Sequence, residues 1–344
     1  MSQRTVSCLV LAGLLLLLLW LVPEVPLLVF AAALIGVFLH SGSGLLRRVL
    51  PVPHGLGVLL FILLLLLVAA AMTMLAARPM AEQLNQLWQD VPAAARGLAQ
   101  RLSRYSWGQQ LLENLEPGNL SLPSGGGASA VSALNITFGA LGNAVLVLFL
   151  GIYFAVDPGL YRRGIERLFA PSLRPKARSV VEDAAETLRG WLGAQMISMA
   201  VVGVLTGLGL WLVGIPLAPV LGVIAALLAF IPTIGPVIAA VPAVLLGLAD
   251  GFSGALSVAG VYLVVQSVES YLITPYVQKR SVDLPEAATI VSLVAFGLLY
   301  GFLGMLLATP MAAVLLMLVR RLYVSDYLER EPRPEQAGVP LLRS

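Results

Sequence analysis

The run Pro219-Val-Leu-Gly-Val-Ile-Ala-Ala-Leu-Leu-Ala-Phe-Ile-Pro232-Thr-Ile-Gly-Pro236-Val-Ile-Ala-Ala-Val-Pro242 constrains this chain more than any other. Two apolar arms of about fourteen residues flank its Pro-Thr-Ile-Gly-Pro core, and at 1.5 Å per residue each arm reaches only about 21 Å. The hydrocarbon core of a bilayer is roughly 30 Å thick, so neither arm crosses it alone. The prolines prevent the arms from joining into one continuous helix. Irregular backbone at membrane depth is tolerated only where it is buried in protein or lines a cavity. A broken segment of this kind points to a transport site rather than an inert anchor.

The remainder of the chain supplies a membrane setting. Of 344 residues, 59% are hydrophobic and 11% charged, against about a quarter charged in soluble domains. The expected class is an all-α integral membrane protein whose first partner is the lipid bilayer. A net charge of +3 would suggest nucleic acid in a soluble protein. Here the basic residues sit in short loops beside apolar runs, where they set topology, and no nucleic-acid partner is expected. The single cysteine, Cys8, lies inside the first apolar run, which excludes an intrachain disulfide and a cysteine-based metal site. No P-loop, dinucleotide fingerprint, nucleophile elbow or HExxH pattern occurs, so neither an enzyme nor a cofactor is expected. Arg4 and the leucine-rich run through Val22 resemble a signal peptide. Val22-Pro23-Glu24-Val25-Pro26 offers no small-x-small cleavage site, so the run reads as an uncleaved first span.

Apolar segments fall at about 5–22, 27–44, 56–77, 133–156, 191–213, 217–231, 236–249, 254–274, 286–301 and 303–319. Arg47 and Arg48, the basic stretch from Arg162 to Arg189, Lys279 with Arg280, and Arg320 with Arg321 follow apolar segments. Placing them all in the cytoplasm puts both termini inside. The stretch 217–249 then begins and ends outside, and 286–319 begins and ends inside. Each reads as a re-entrant hairpin, with tips at Ile231–Pro236 and Tyr300–Gly304. Each hairpin follows one full span, 191–213 or 254–274, in opposite orientations, as in an inverted-topology repeat. The alternative is ordinary short helices in a locally thinned bilayer.

Residues 78–132 differ in kind. Leu84, Leu87, Val91, Leu98, Leu102 and Tyr105 recur at three- and four-residue spacing, an amphipathic helical pattern. The spacing predicts an interruption at Val91-Pro92, with Asp90 capping the second piece. A flexible linker follows through Pro117-Gly118-Asn119 and Pro123-Ser124-Gly125-Gly126-Gly127. Such an arm could pack on its own membrane domain or on a neighbouring subunit. The proline-rich tail from Tyr323 is expected to be mobile.

Ionisable groups within membrane segments are costly, and only Glu269 falls clearly within one. On a helix Gln266, Glu269 and Ser270 share a face. Desolvation would raise the carboxylate's pKa and suit it to proton exchange. Glu269 could form a coupling-ion or substrate site, or it could lie near enough to the interface to pair with Lys279 or Arg280. The second candidate is Thr233 and Gly235, with the carbonyls that Pro232 and Pro236 leave free to bind a cation or a hydroxyl-bearing ligand. A hairpin turn closed by the two prolines, with no ligand, is the competing reading. Asn135, Asn143 and Gln195 suit helix-to-helix hydrogen bonds better. His40 and His54 bracket a cytoplasmic loop but lack the carboxylates of a metal site.

Ala229-Phe-Ile-Pro-Thr-Ile-Gly-Pro236 resembles the signature of the autoinducer-2 exporter (AI-2E) family of bacterial permeases. So do Glu269-Ser-Tyr-Leu-Ile-Thr-Pro275-Tyr-Val-Gln-Lys279, Tyr300-Gly301-Phe302-Leu303-Gly304 and Trp191-Leu-Gly-Ala-Gln195. The likeness is specific over about 185–325. It implies a secondary permease of about eight membrane segments in the bacterial inner membrane, working as a homo-oligomer. Some members are assigned export of autoinducer-2, others sodium or lithium extrusion against protons. The resulting expectation is a small polar solute or monovalent cation bound between the tips 231–236 and 300–304, near Gly301 and Gly304. Glu269 would carry the coupling proton. A non-transporting assembly protein acting through the 78–132 arm is the remaining rival. The expected units are spans at 1–77, the insert at 78–132, a fourth span and basic loop at 133–190, a transport core at 191–322 and a tail at 323–344.

Overall fold

The computed structural model describes residues 21–103, 128–273 and 285–328, apart from Pro23, Pro216 and Asp250, together with Gly13 and Leu17. The expected first span, the linker glycines, the Lys279-Arg280 loop and the end of the tail lie outside the described residues. Among the described residues every regular element is helical: α1 (Glu24–Leu46), α2 (His54–Leu102), α3 (Ala128–Val156), α4 (Pro158–Leu168), α5 (Arg174–Leu212), α6 (Ala218–Leu228), α7 (Ile234–Ala249), α8 (Phe252–Val268) and α9 (Glu286–Val319). By length and composition five helical stretches among the described residues could cross a membrane, with α8 counted together with its π turn and α9 counted as one despite its break at Gly301. Leucines such as Leu63, Leu66 and Leu67 are exposed along α2, as lipid-facing residues of a span must be. The chain is a multi-pass membrane protein.

Two sequence expectations need correction. The predicted break at Val91-Pro92 is absent: α2 runs unbroken for 49 residues, about 74 Å. Proline at 92 deprives the Trp88 carbonyl of its helical donor. Pro92 lies on an exposed stretch, where solvent can satisfy that carbonyl. The basic loop after the fourth span is itself helical. Leu141–Val156 and Pro158–Leu168 meet at 91°, and the turn is fixed by Asp157, whose carboxylate accepts from the Leu160 amide at 3.0 Å while Pro158 occupies the first turn. Arg162 of α4 reaches Glu182 of α5 at 3.0 Å, Arg178 lies 3.2 Å from Glu182, and Arg321 lies 3.4 Å from Asp183. Past α9 the chain continues in π-helical form over Arg320–Leu328; the rest of the expected tail lies outside the described residues.

Both short-armed segments are helical hairpins. In the first, α6 and α7 are joined by a turn in which Gly235 is buried hard against the Leu228 carbonyl; a Cβ there would overlap that oxygen. In the second, α9 is two helices merged across Gly301, at φ 63°, ψ −144°. A Cβ on Gly304 would overlap the Phe296 carbonyl, and one on Gly297 would meet Met305 at 2.9 Å. Eight residues of straight helix span about 12 Å, so the chain must fold back on itself at Gly301.

Small residues seat the first hairpin on α5. A Cβ on Gly222 would lie 2.9 Å from both the Gly203 carbonyl and the Gly207 Cα, leaving room for nothing larger. On its other side Leu87 of α2 packs against the buried group Leu210, Ile215, Leu217, Ala218, Leu221, Ala243 and Val258. The long α2 arm therefore packs on its own chain's hairpin.

Candidate functional site

Helix α5 links Glu269 to the arm that enters the first tip. Trp191, Gln195 and Ser198 succeed one another along it at spacings of four and three, the repeat that places side chains on one face. Trp191 meets Phe230 of the first tip edge-on, 5.5 Å between ring centroids. The Gln195 amide donates to the Ala229 carbonyl at 2.6 Å, with the glutamine side chain buried. That carbonyl belongs to the C-terminal cap residue of α6, where backbone oxygens lack intrahelical donors, so Gln195 caps the arm as it enters the tip. One turn along α5, the Ser198 hydroxyl donates to Glu269 Oε1 at 2.5 Å.

Glu269 opens a π-helical turn, Glu269–Ile273, that continues α8. Single π turns inside helices recur at functional sites. The Gln266 amide donates to Glu269 Oε2 at 3.2 Å, so each carboxylate oxygen has a donor. The shared face expected of Gln266 and Glu269 is present; Ser270 follows on the exposed side. Sequence reasoning treated Gln195 as helix glue, which fits its place, and missed Ser198. A hydroxyl three residues after a buried amide on an apolar span was the available signal.

The first tip is tightly wound. The Ile234 amide donates back to the Pro232 carbonyl at 2.8 Å, closing a γ-turn about Thr233, which sits at φ 69°. Positive φ in a β-branched residue is a genuine outlier and costs about 1–3 kcal/mol. Pro232 and Pro236 free the carbonyls of Leu228 and Pro232. Leu228 accepts from the Ile231 amide at 3.0 Å and Pro232 from Ile234, leaving each oxygen one further lone pair.

The two tips meet, through apolar side chains. Ile231, Leu293 and Ala308 are buried together, with Ile234, Phe296 and Leu306 around them. Phe230 and Tyr300 both pack on the group that holds Trp191 and Leu307. Gly301 and Thr233 lie exposed at the ends of their hairpins, while Gly304 and Gly235 are buried. Polar chemistry thus gathers on one flank of the first tip, at Ser198, Gln266 and Glu269, with an apolar seam to the second tip on the other. Among the described residues no group of three or more His, Cys, Asp or Glu side chains is placed to hold a metal.

Comparison with known proteins fits this arrangement. The family model described as AI-2E family transporter matches residues 9–323. YueF of Bacillus subtilis (strain 168), a provisionally named transport protein, is 25% identical over 277 residues, 76% of this chain and 75% of that one. YrrI of the same organism, also provisionally named a transport protein, is 30% identical over 172 residues, and the matched stretch covers about half of each chain. The AI-2 transport protein TqsA of Escherichia coli (strain K12) is 32% identical over 124 residues, 35% of this chain and 36% of TqsA.

Proposed function

The chain belongs to the AI-2E family of transporters, and on that premise we propose a secondary permease that exports a small polar solute in exchange for protons. The observation that carries this reading is the bridge along α5. Gln195 holds the first hairpin tip and Ser198, one turn away, holds the carboxylate of Glu269. A proton arriving on Glu269 removes the acceptor of Ser198 or weakens it, so protonation and the seating of the first hairpin share one helix. The solute would bind beside Glu269, Gln266 and the exposed Thr233, with autoinducer-2, the compound in the name of TqsA, as the first solute to test. In this reading α1–α3 form a scaffold and about 185–322 the moving core, in a bacterial inner membrane with both termini in the cytoplasm.

A second reading is sodium or lithium exchange for protons. A carboxylate beside a hydroxyl and a carboxamide is an oxygen-rich set suited to a dehydrated hard cation. The purified chain in liposomes with a trapped pH dye separates the two. Proton flux evoked by the organic solute, with sodium, lithium and potassium inert, supports export. Flux evoked by sodium or lithium alone replaces export with cation exchange.

A further inference from the structure

Away from Glu269, four basic side chains gather where the C-terminal end of α1, the start of α2 and the end of α3 meet the middle of α5. Arg47, just past α1, donates its Nε to the Val52 carbonyl at 3.1 Å and directs Nη1 at His54 Nδ1, 3.3 Å away. His54, the first residue of α2, has its Nε2 2.9 Å from the Ala155 carbonyl at the end of α3. A carbonyl only accepts, so the His54 Nε2 carries a proton and donates it there. His40 of α1 stands 4.7 Å from His54, ring centroid to centroid, and its Nδ1 is buried with no partner. Arg189 of α5 donates Nε to the Ser41 hydroxyl at 3.1 Å. The charged and titratable groups that act on His40 are His54, Arg189 and Arg47, all basic.

Among the described residues no carboxylate pairs with Arg47 or Arg189. Arg162, Arg178 and Arg321, on the same side of the molecule by the charge pattern, each have one. The turn that carries Arg47 also exposes Leu45, Val49 and Leu50. Two guanidinium groups without a carboxylate partner, one just past α1 and one on α5, beside the exposed apolar side chains of the α1 turn, suit a molecule with an anionic head and an apolar body. We propose that this corner binds the phosphate of an anionic phospholipid, with Arg47 and Arg189 as the phosphate donors and the two histidines lining the headgroup site. Guanidinium forks match phosphate oxygens in pairs, and basic pockets between membrane helices on the cytoplasmic side hold lipid headgroups in this way.

The test uses the full chain, purified in an uncharged detergent and titrated with fluorescent phosphatidylglycerol and phosphatidylcholine of equal chain length. Phosphatidylglycerol should bind more tightly, and the preference should shrink between 50 and 300 mM salt. At about 1 kcal/mol for each basic residue near the surface, the double variant Arg47→Gln/Arg189→Gln should lose roughly thirtyfold in affinity. Arg163→Gln/Arg167→Gln on α4, the same change in charge elsewhere, should leave affinity within about twofold. Equal binding of the two lipids by the unmodified chain overturns the proposal, and that comparison depends on no variant's folding. So does an unchanged affinity in the Arg47/Arg189 variant. Displacement of phosphatidylglycerol by millimolar inorganic phosphate, with no preference between headgroups once phosphate is present, would assign the site to free phosphate and overturn the lipid reading.

Discussion

In the first hairpin the chain reverses about Thr233 at φ 69°, and in the second about Gly301 at φ 63°. Two or three residues later each places a buried glycine against a carbonyl of the incoming arm, Gly235 on Leu228 and Gly304 on Phe296. The closures match, but the turns differ in cost and in surroundings. Gly301, with ψ −144°, sits close to a region of backbone space that is essentially glycine's alone. Thr233 holds a strained turn with a side chain attached, and a buried glutamine amide props the arm leading into it. Strain of this kind persists only where the surroundings over-determine it, and it gathers at working sites. On the proposed reading, the strained first tip is the working one and the second tip only closes its hairpin.

Variants can break that comparison. The largest effects should come from Gly235→Ala and Gly304→Ala, whose new methyl groups would collide with backbone carbonyls. Each should destabilise the protein by about 3 kcal/mol or more, read as lost thermal stability in detergent. Loss at only one of the two would mean that the closures are not equivalent. Gly301→Thr follows, at about 1–3 kcal/mol. Gln195→Leu leaves the buried Ala229 carbonyl without its donor and should cost about 1–3 kcal/mol, measurable by the same melts, with transport falling further than stability alone explains. The smallest effect carries the opposite sign. Thr233→Gly relieves the strained turn and should stabilise by about 1 kcal/mol while slowing transport. A Thr233→Gly variant that is stabilised and transports normally would show the strain to be incidental.

Much of this was legible in the residues themselves. The prolines at 232 and 236 and the short apolar arms announce the first hairpin, and Tyr300-Gly301 marks the second because only glycine tolerates such a turn. Glu269 is conspicuous as a carboxylate in an apolar helix. The bond from Ser198 was not legible, only its position one turn from Gln195 was, since its partner lies 71 residues away and a serine in an apolar run also bonds its own helix. The uninterrupted α2 was hidden for a different reason. Local rules break a helix at Pro92, and only its exposure lets the freed carbonyl go unpaired by protein. The corner at Arg47, His54 and Arg189 depends on two helix ends meeting the middle of α5, which no spacing encodes.

Proton movement in liposomes, compared between the unmodified chain and Glu269→Gln, tests the transport reading most directly. Glutamine keeps the shape and can still accept from Ser198, so the variant should fold and melt like the parent. The expected result is solute-evoked proton flux in the parent and none in Glu269→Gln, with Ser198→Ala reduced in between. Undiminished, pH-dependent flux in a well-folded Glu269→Gln protein would remove that carboxylate from the mechanism and with it the role assigned to the α5 bridge.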